Sequence, residues 1–199
     1  MKNRLVIITQ YFPPEMGAPQ SRLLETTIGL QSKGWDVRIV AAMPNYPTGK
    51  IFKSHQNKFH FSELVRGIRV WRYWLYASNS KNAIHRILSM LSFSITVLFS
   101  VLKLKKFKPN FIFTESPPLT LGLSGIILAK LTRAKHVLNV SDLWPLSAFE
   151  LGAISDGFLY KRLEGLEKYL YRSSYACTGQ SQEILHQISL RGSKRSHLY

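Results

Sequence analysis

The sequence predicts a doubly wound α/β domain with a mainly parallel sheet, and three observations carry that expectation. Short β-rich apolar runs, of the kind buried on both faces of a sheet, recur at Arg4 to Thr9, Val37 to Ala42, Phe111 to Thr114 and His136 to Val140. Segments with helical spacing stand between them, so strand and helix alternate along the chain. No repeat or low-complexity tract breaks the alternation. A length of 199 residues suits one domain with a full core, and 45% hydrophobic with 12% aromatic residues argue against disorder despite a formal charge of +16.

Arg4 to Thr9 is the first strand. Gln10 to Pro19, with Pro13, Pro14, Gly17 and Pro19, is a loop, and Pro19 suits the first turn of a helix, where its missing N–H costs nothing. Leu23, Leu24, Thr27, Ile28 and Leu30 keep helical spacing until Gly34 offers a cap. Val37 to Ala42 then completes the strand, helix, strand unit of a right-handed parallel crossover. Met43 to Glu63, with Pro44, Pro47 and Gly49, is predicted as a long irregular loop. Val65 to Leu75, rich in Val, Ile, Trp and Tyr, reads as a strand or hairpin. Two apolar helices flank the strand at Phe111 to Thr114. After His136 to Val140 come a helix over Tyr160 to Tyr171, a short strand over Ser174 to Thr178 and a helix from Gln180 to Leu190 stopped by Gly192. The domain is therefore placed at residues 1–192, and Ser193 to Tyr199 reads as the approach to a strand that is not completed.

The segment Ile87 to Leu102 carries no charge and is bracketed by His85-Arg86 and by Lys103, Lys105, Lys106 and Lys108. At about 1.5 Å per residue it extends roughly 24 Å, short of the ~30 Å hydrocarbon layer. His85, Ser89, Ser92, Thr96, Ser100 and Lys103 fall in one narrow stripe. Two readings follow: a core helix whose polar stripe is a thin solvated edge, or a face that dips into a bilayer beside a lysine cluster drawn to anionic lipid.

With 27 Lys and Arg against 11 Asp and Glu, the partner is expected to be anionic: nucleic acid, lipid headgroups or a phosphorylated small molecule. The lone cysteine, Cys177, excludes an intramolecular disulfide and fits a reducing cytoplasm, and the start of the chain lacks a secretory pattern. No Cys/His cluster has metal-ligand spacing, so no metal is expected. Dinucleotide and P-loop glycine patterns and nucleophile elbows are also absent, and no cofactor is expected. Parallel α/β sheets bind ligands beyond the carboxyl ends of their strands, which directs attention to three loops. In Gln10 to Gln20, Gly17 precedes a helix N-terminus suited to a phosphate, or is an ordinary turn glycine. In Thr114 to Pro118, Glu115 bonds sugar hydroxyls or sits at the surface of a proline turn. In Ser141 to Pro145, Asp142 takes a proton or orients a hydroxyl beside a flat Trp144, or caps the following turn.

Four segments in order at predicted strand ends, Ile7-Ile8-Thr9-Gln10-Tyr11-Phe12-Pro13-Pro14-Glu15 with Gly17, Pro44-Asn45-Tyr46-Pro47-Thr48-Gly49, Ser116-Pro117-Pro118-Leu119 and Asp142-Leu143-Trp144-Pro145, carry a resemblance. The chain resembles the N-terminal half of family-4 glycosyltransferases, most closely the bacterial branch with fucosamine-type transferases of surface-polysaccharide (capsule or lipopolysaccharide) assembly. The resemblance implies a GT-B architecture of two Rossmann-like domains, with the acceptor held by the first and the nucleotide-sugar donor mainly by the second. It implies retaining, metal-independent transfer to a polyprenyl-diphosphate-linked sugar at the inner face of the cytoplasmic membrane. Carried over by position, it gives Gly17 the donor diphosphate, Asp142 the catalytic place, and Glu15, Asn45, Tyr46, Glu115, Ser116 and Trp144 the acceptor. No histidine stands beside Asp142, since Ser141 precedes it. Residues 193–199 would begin the connection to a missing C-terminal domain, and the 199-residue chain alone would transfer little or no sugar.

The rival expectation is a basic module binding nucleic acid or a membrane surface. Trp71, Tyr73 and Trp74 interleave with Arg66, Arg69 and Arg72, a pattern that can stack on and neutralise single strands, although no specific nucleic-acid motif is present.

Overall fold

The computed structural model describes residues 2–80, 82–150, 152 and 155–199. Strands β1 (Arg4–Thr9) and β2 (Asp36–Ala42) flank helix α1 (Ala18–Ser32), and a hairpin of β3 (His60–Val65) and β4 (Ile68–Tyr73) follows. Helix α2 (Ala83–Thr96) runs through a 3-10 segment, Val97–Ser100, into α3 (Val101–Phe107). Then come β5 (Phe111–Ser116), α4 (Leu119–Thr132), β6 (Lys135–Val140), α5 (Leu146–Glu150), α6 (Phe158–Ser173), β7 (Ala176–Gly179), α7 (Gln182–Leu190) and β8 (Ser196–Leu198).

The eight strands form one sheet in the order β3-β4-β2-β1-β5-β6-β7-β8. Every neighbouring pair is parallel except β3 with β4. The order proceeds outward in both directions from β1, so the connections reverse between β1 and β5, the place where doubly wound sheets open a crevice. Ile7 pairs with Ile39 on one side and Phe113 on the other, which fixes the centre of the register.

Alternation along β1 builds two cores. Leu5 and Ile7 pack with Leu23 and Leu24 of α1, whereas Val6 and Ile8 pack with Phe93, Val97, Leu104 and Leu121 on the other face. A third cluster joins Leu138 and Val140 to Ile126, Leu170 and Ile188. Full burial of such a side chain contributes roughly 1.5–3 kcal/mol, so both sheet faces must be covered.

Three expectations change. The loop after β2 ends at Phe59, because His60–Val65 pairs antiparallel along β4 through the tight turn Arg66-Gly67, both at positive φ. It escapes an apolar-run search because it is an edge strand whose burial alternates and whose residues include His60, Ser62 and Glu63. The strand expected to fail after Gly192 is made: Ser196, His197 and Leu198 pair with Cys177, Thr178 and Gly179, so Ser196–Leu198 joins this sheet. The polar stripe on α2 is not the solvated edge. Ser89, Thr96 and Ser100 are buried, and Thr96 donates to the Trp74 carbonyl at 2.5 Å while Ser92 accepts the Tyr76 N–H at 2.8 Å. Ser92 and Thr96 thereby satisfy the irregular backbone after β4, and one apolar side of the helix is left outside.

Candidate functional site

The three loops singled out in the sequence leave the carboxyl ends of β1, β5 and β6, around the switch point. Glu115, the penultimate residue of β5, is almost fully buried. Its Oε1 accepts from Arg22 of α1 and from Ser141 after β6, both at 2.5 Å, and its Oε2 accepts from Asn139 at 3.0 Å. Ser141 Oγ in turn accepts from Arg22 at 3.1 Å, Asn139 at 3.0 Å and Gln180 at 2.9 Å. Asn139 is held by Thr178, which donates to its Oδ1 at 2.7 Å. The Arg22 guanidinium also lies 5.2 Å from the centre of the Tyr199 ring. Burial pushes the Glu115 carboxyl above its ordinary range, against the opposing Ser141 hydrogen bond and Arg22 charge.

A second network builds the loop after β1. Glu15 is buried, its Oε1 accepting the backbone N–H groups of Asn45 at 2.8 Å and Tyr46 at 2.9 Å and its Oε2 that of Phe12 at 3.2 Å. Desolvation raises its pKa, and those three N–H groups and Arg72 oppose the rise. The carboxylate thus clamps two loops together. Arg72, wholly buried in β4, secures the same loop by donating to the Pro13 carbonyl, to the Ala42 carbonyl at 3.0 Å and to Glu63. Asn45 is turned inward, its side chain donating to the Met43 carbonyl at 3.0 Å. Gly49, at φ 67°, lets this loop touch the next: a Cβ there would stand 2.2 Å from the Asn79 backbone nitrogen.

Between these loops and the start of α2 lies an open polar cavity of about 340 Å³, lined by Gln10, Tyr11, Ser78, Asn79, Ser80 and Arg86 with Ser89 and Met90. Tyr46, half exposed, meets Tyr11 edge-on with ring centres 6.2 Å apart. Burial raises the Tyr11 pKa, with the Glu15 charge adding to it. An arginine, several hydroxyls and amides and the Tyr11 ring suit a phosphorylated saccharide.

Gly17 sits at the amino end of α1, its carbonyl accepting from Ser21 at 3.0 Å, and a Cβ on it would come 2.5 Å from the buried, unpartnered Gln20 Oε1. Asp142 is exposed just past β6, and its Oδ2 accepts from the Ser147 hydroxyl at 2.9 Å. Trp144 is half-buried and lines a narrow apolar slot with Pro117, Pro118 and Leu163. Ser116 is buried, its carbonyl accepting the Ser141 N–H at 2.9 Å. The structure therefore joins Glu115 and Ser116 to the Ser141 loop, and Glu15 to Asn45 and Tyr46.

Sequence reasoning missed Arg22, Arg72, Asn139 and the segment from Ser78 to Arg86. Asn139 carried a signal, being polar among the apolar residues Val137, Leu138 and Val140, and the others become partners only through folding. Of the residues offered for stacking on nucleic acid, Trp71, Arg72 and Tyr73 are buried, whereas Arg66, Arg69 and Trp74 are exposed. Two larger cavities, of about 430 and 530 Å³, lie at the amino ends of the strands, away from these loops. Among the described residues no three of His, Cys, Asp and Glu gather as a metal site.

The chain is 26% identical over 131 residues to a protein of Escherichia coli (strain K12) named as a colanic acid biosynthesis glycosyl transferase, WcaI, a stretch covering 66% of this chain and 32% of that one. Its fold is similar to sucrose-phosphate synthase from Thermosynechococcus elongatus, at TM-score 0.66 and 12% identity, over 99% of this chain and 47% of that chain. It is similar also to the catalytic domain of starch synthase IV from Arabidopsis thaliana, bound to ADP and acarbose, at TM-score 0.63 and 15% identity over 100% and 51%. HepE of Anabaena, in complex with UDP and glucose, matches at TM-score 0.58 and 10% identity over 98% and 43%. The aligned stretch is about a third of the curated relative, and the chain spans about half of each solved chain. The glycosyl transferase 4-like domain matches residues 17–198, from the glycine that opens α1 to the last residue of β8, and the chain belongs to that family of GT-B glycosyltransferases.

Proposed function

We propose that the chain is the acceptor-side domain of a retaining, metal-independent glycosyltransferase. It moves a sugar from a nucleotide-diphosphate sugar to a polyprenyl-diphosphate-linked saccharide in surface-polysaccharide assembly of the capsule or lipopolysaccharide type. The observation that carries this reading is the polar cavity at the carboxyl ends of the strands, where Arg86 stands among hydroxyl and amide groups beside Tyr11. Arg86 meets a phosphate of the acceptor, and Gln10, Tyr11 and Ser78 to Ser80 bond its sugar hydroxyls. Tyr46 and Trp144 supply apolar faces for the ring. Gly17 leaves the amino end of α1 open to the donor diphosphate, whose negative charge the free N–H groups there favour.

During transfer the acceptor oxygen bonds to the anomeric carbon as the nucleotide diphosphate leaves, and the acceptor hydroxyl gives up its proton. Asp142, an exposed carboxylate at the end of β6, orients that hydroxyl or accepts the proton. Arg22, Glu115, Ser141 and Asn139 hold β5, β6 and α1 in register around it, as positioning residues. The reading places the protein in the cytoplasm, peripheral at the inner membrane face where the lipid-linked acceptor is held. Because donor groups come mainly from a second domain, residues 1–199 alone are inactive in this reading.

The test is a transfer assay with the complete gene product, a panel of nucleotide-sugars and a polyprenyl-diphosphate-sugar acceptor. Transfer is expected from the complete protein and not from residues 1–199, with Asp142→Asn lowering kcat and Arg86→Ala raising the acceptor KM about tenfold. Absence of transfer with every donor, or an Arg86→Ala variant with an unchanged acceptor KM, overturns the corresponding part of the reading.

A further inference from the structure

The helical run from Ile84 to Phe107 wears its amphipathic pattern inside out. It spans 24 residues, and its most apolar 18-residue stretch has a mean hydropathy of 2.0. Phe93, Val97 and Leu104 are locked into the core, so the run lies along the domain. On its outer side Ile84, Ile87, Leu91, Ile95, Phe99 and Leu102 form one stripe at helical spacing, with Ile95 60%, Phe99 61% and Leu102 76% exposed. Its hydroxyl stripe faces inward, as described above. Phe59 stands edge-on to Phe99 with ring centres 5.3 Å apart, and the partly exposed Trp74 flanks them. A contiguous apolar stripe of this size marks an interaction surface.

The stripe ends at a cationic hollow. Arg4, Arg38, Arg69, Lys103 and Lys106 line the cavity of about 430 Å³ at the amino ends of β1, β2 and β4, against Trp71 and Phe107. The Arg38 guanidinium lies 3.9 Å from the centre of the Phe107 ring. Lys106 follows Leu102 by one helical turn and continues the apolar stripe, whereas Lys103 continues the hydroxyl stripe of Thr96 and Ser100 and reaches over the Trp71 ring, 5.7 Å from its centre, into the same hollow. Among the described residues, Asp36 is the only acidic one lining the hollow, and its Oδ1 is 3.7 Å from Arg38. No Asp or Glu occurs in the sequence between Glu63 and Glu115.

We propose that this face docks on an anionic phospholipid bilayer, the stripe entering the acyl boundary and the hollow receiving a lipid phosphate. Charge decides the occupant. A second copy of a +16 chain would bring cations to a surface with almost no carboxylate to meet them. Nucleic acid would leave the isoleucine and leucine stripe in water. An anionic bilayer satisfies both halves at once, taking the stripe below its headgroups while their phosphates meet the lysines and arginines. The inference rests on the membrane-linked acceptor reading. Vesicle binding needs neither donor nor acceptor, so its failure and a failure of transfer are told apart.

The experiment is co-sedimentation of the protein with phosphatidylcholine vesicles, with and without phosphatidylglycerol. Strong binding is expected only with phosphatidylglycerol. Ile95→Glu/Phe99→Glu and Lys103→Ser/Lys106→Ser each weaken it about tenfold or more, and Lys130→Ser/Arg133→Ser, in the other basic cavity, leaves it unchanged. Circular dichroism confirms that these variants fold. Undiminished binding by Ile95→Glu/Phe99→Glu, or equal loss in both lysine-directed variants, overturns the proposal. So does a dimer that ignores vesicles and dissociates on Ile95→Glu/Phe99→Glu, or inorganic phosphate binding in the hollow without vesicle binding.

Discussion

Glu115 and His136 are both buried on the strands that form the centre of the site, yet the surrounding groups treat them differently. Glu115 receives donors from Arg22, Ser141 and Asn139, so the charged form has partners that offset its desolvation. His136 meets only two hydroxyls, Ser174 at 3.0 Å and Thr114 at 3.1 Å, and burial pushes its pKa down to about 4. The consequence for stability has a definite sign. Between about pH 4 and the ordinary histidine value near 6.5, the unfolded chain binds a proton at this position that the folded chain does not. The contribution of neutral His136 is therefore complete above about pH 6.5 and is lost as the pH falls towards 4, amounting to roughly 3 kcal/mol in all. Urea unfolding at a series of pH values should show this fall in the native protein and a shallower one in His136→Gln, and parallel curves would refute the assignment. At this scale the sequence disclosed half of each pair. Glu115 and Asp142 were visible as scarce carboxylates at strand ends, but Arg22 is joined to Glu115 only by the packing of α1 over the switch point, which no local pattern encodes.

Helix α4 shows how tightly an element must sit for those contacts to form. A Cβ placed on Gly125 would lie 2.1 Å from Thr114 Oγ1 and 2.6 Å from His136 Nε2, the two groups that hydrogen-bond each other beneath it. Gly125→Ala should destabilise the domain by about 1–3 kcal/mol in equilibrium unfolding, because the helix must lift from β5 and β6. Gly165 in α6 meets nothing within 4 Å, so Gly165→Ala should stabilise by roughly 0.5–1 kcal/mol in the same measurement. Equal effects at the two positions would mean that α4 is not seated as closely as described. Strands and helices buried on a regular period were legible in the sequence, as β1, β2, β5 and β6 show. The failures share one physical origin. β3 is half-buried at an edge, β8 is three residues long, and α2 turns its hydroxyls inward to satisfy the chain after β4, so each has a burial pattern set by a distant neighbour.

Over the whole molecule, charge and chemistry are sorted to opposite ends of the sheet. The carboxyl ends carry the paired networks of Glu115 and Glu15. The amino ends carry two cationic hollows, one lined by Arg4, Arg38, Arg69, Lys103 and Lys106 and the other including Arg133, Lys135, Arg172, Lys194 and Arg195. The net charge was plain from composition, but its segregation follows from topology. Every strand but β3 starts at the same end of this sheet, so basic residues that open strands and close helices converge there although they are scattered along the sequence. Such convergence is repulsive in the free protein, since compaction brings the like charges closer than they are in the unfolded chain. Added salt should therefore raise the melting temperature, most steeply up to ~0.1 M, where the Debye length falls to about 10 Å. Lys130→Ser/Arg133→Ser should flatten that salt dependence by removing part of the repulsion in the second hollow. Thermal unfolding of both proteins across a sodium chloride series measures this, and a melting temperature that falls with salt would show that the ion pairs at the carboxyl ends outweigh repulsion at the amino ends.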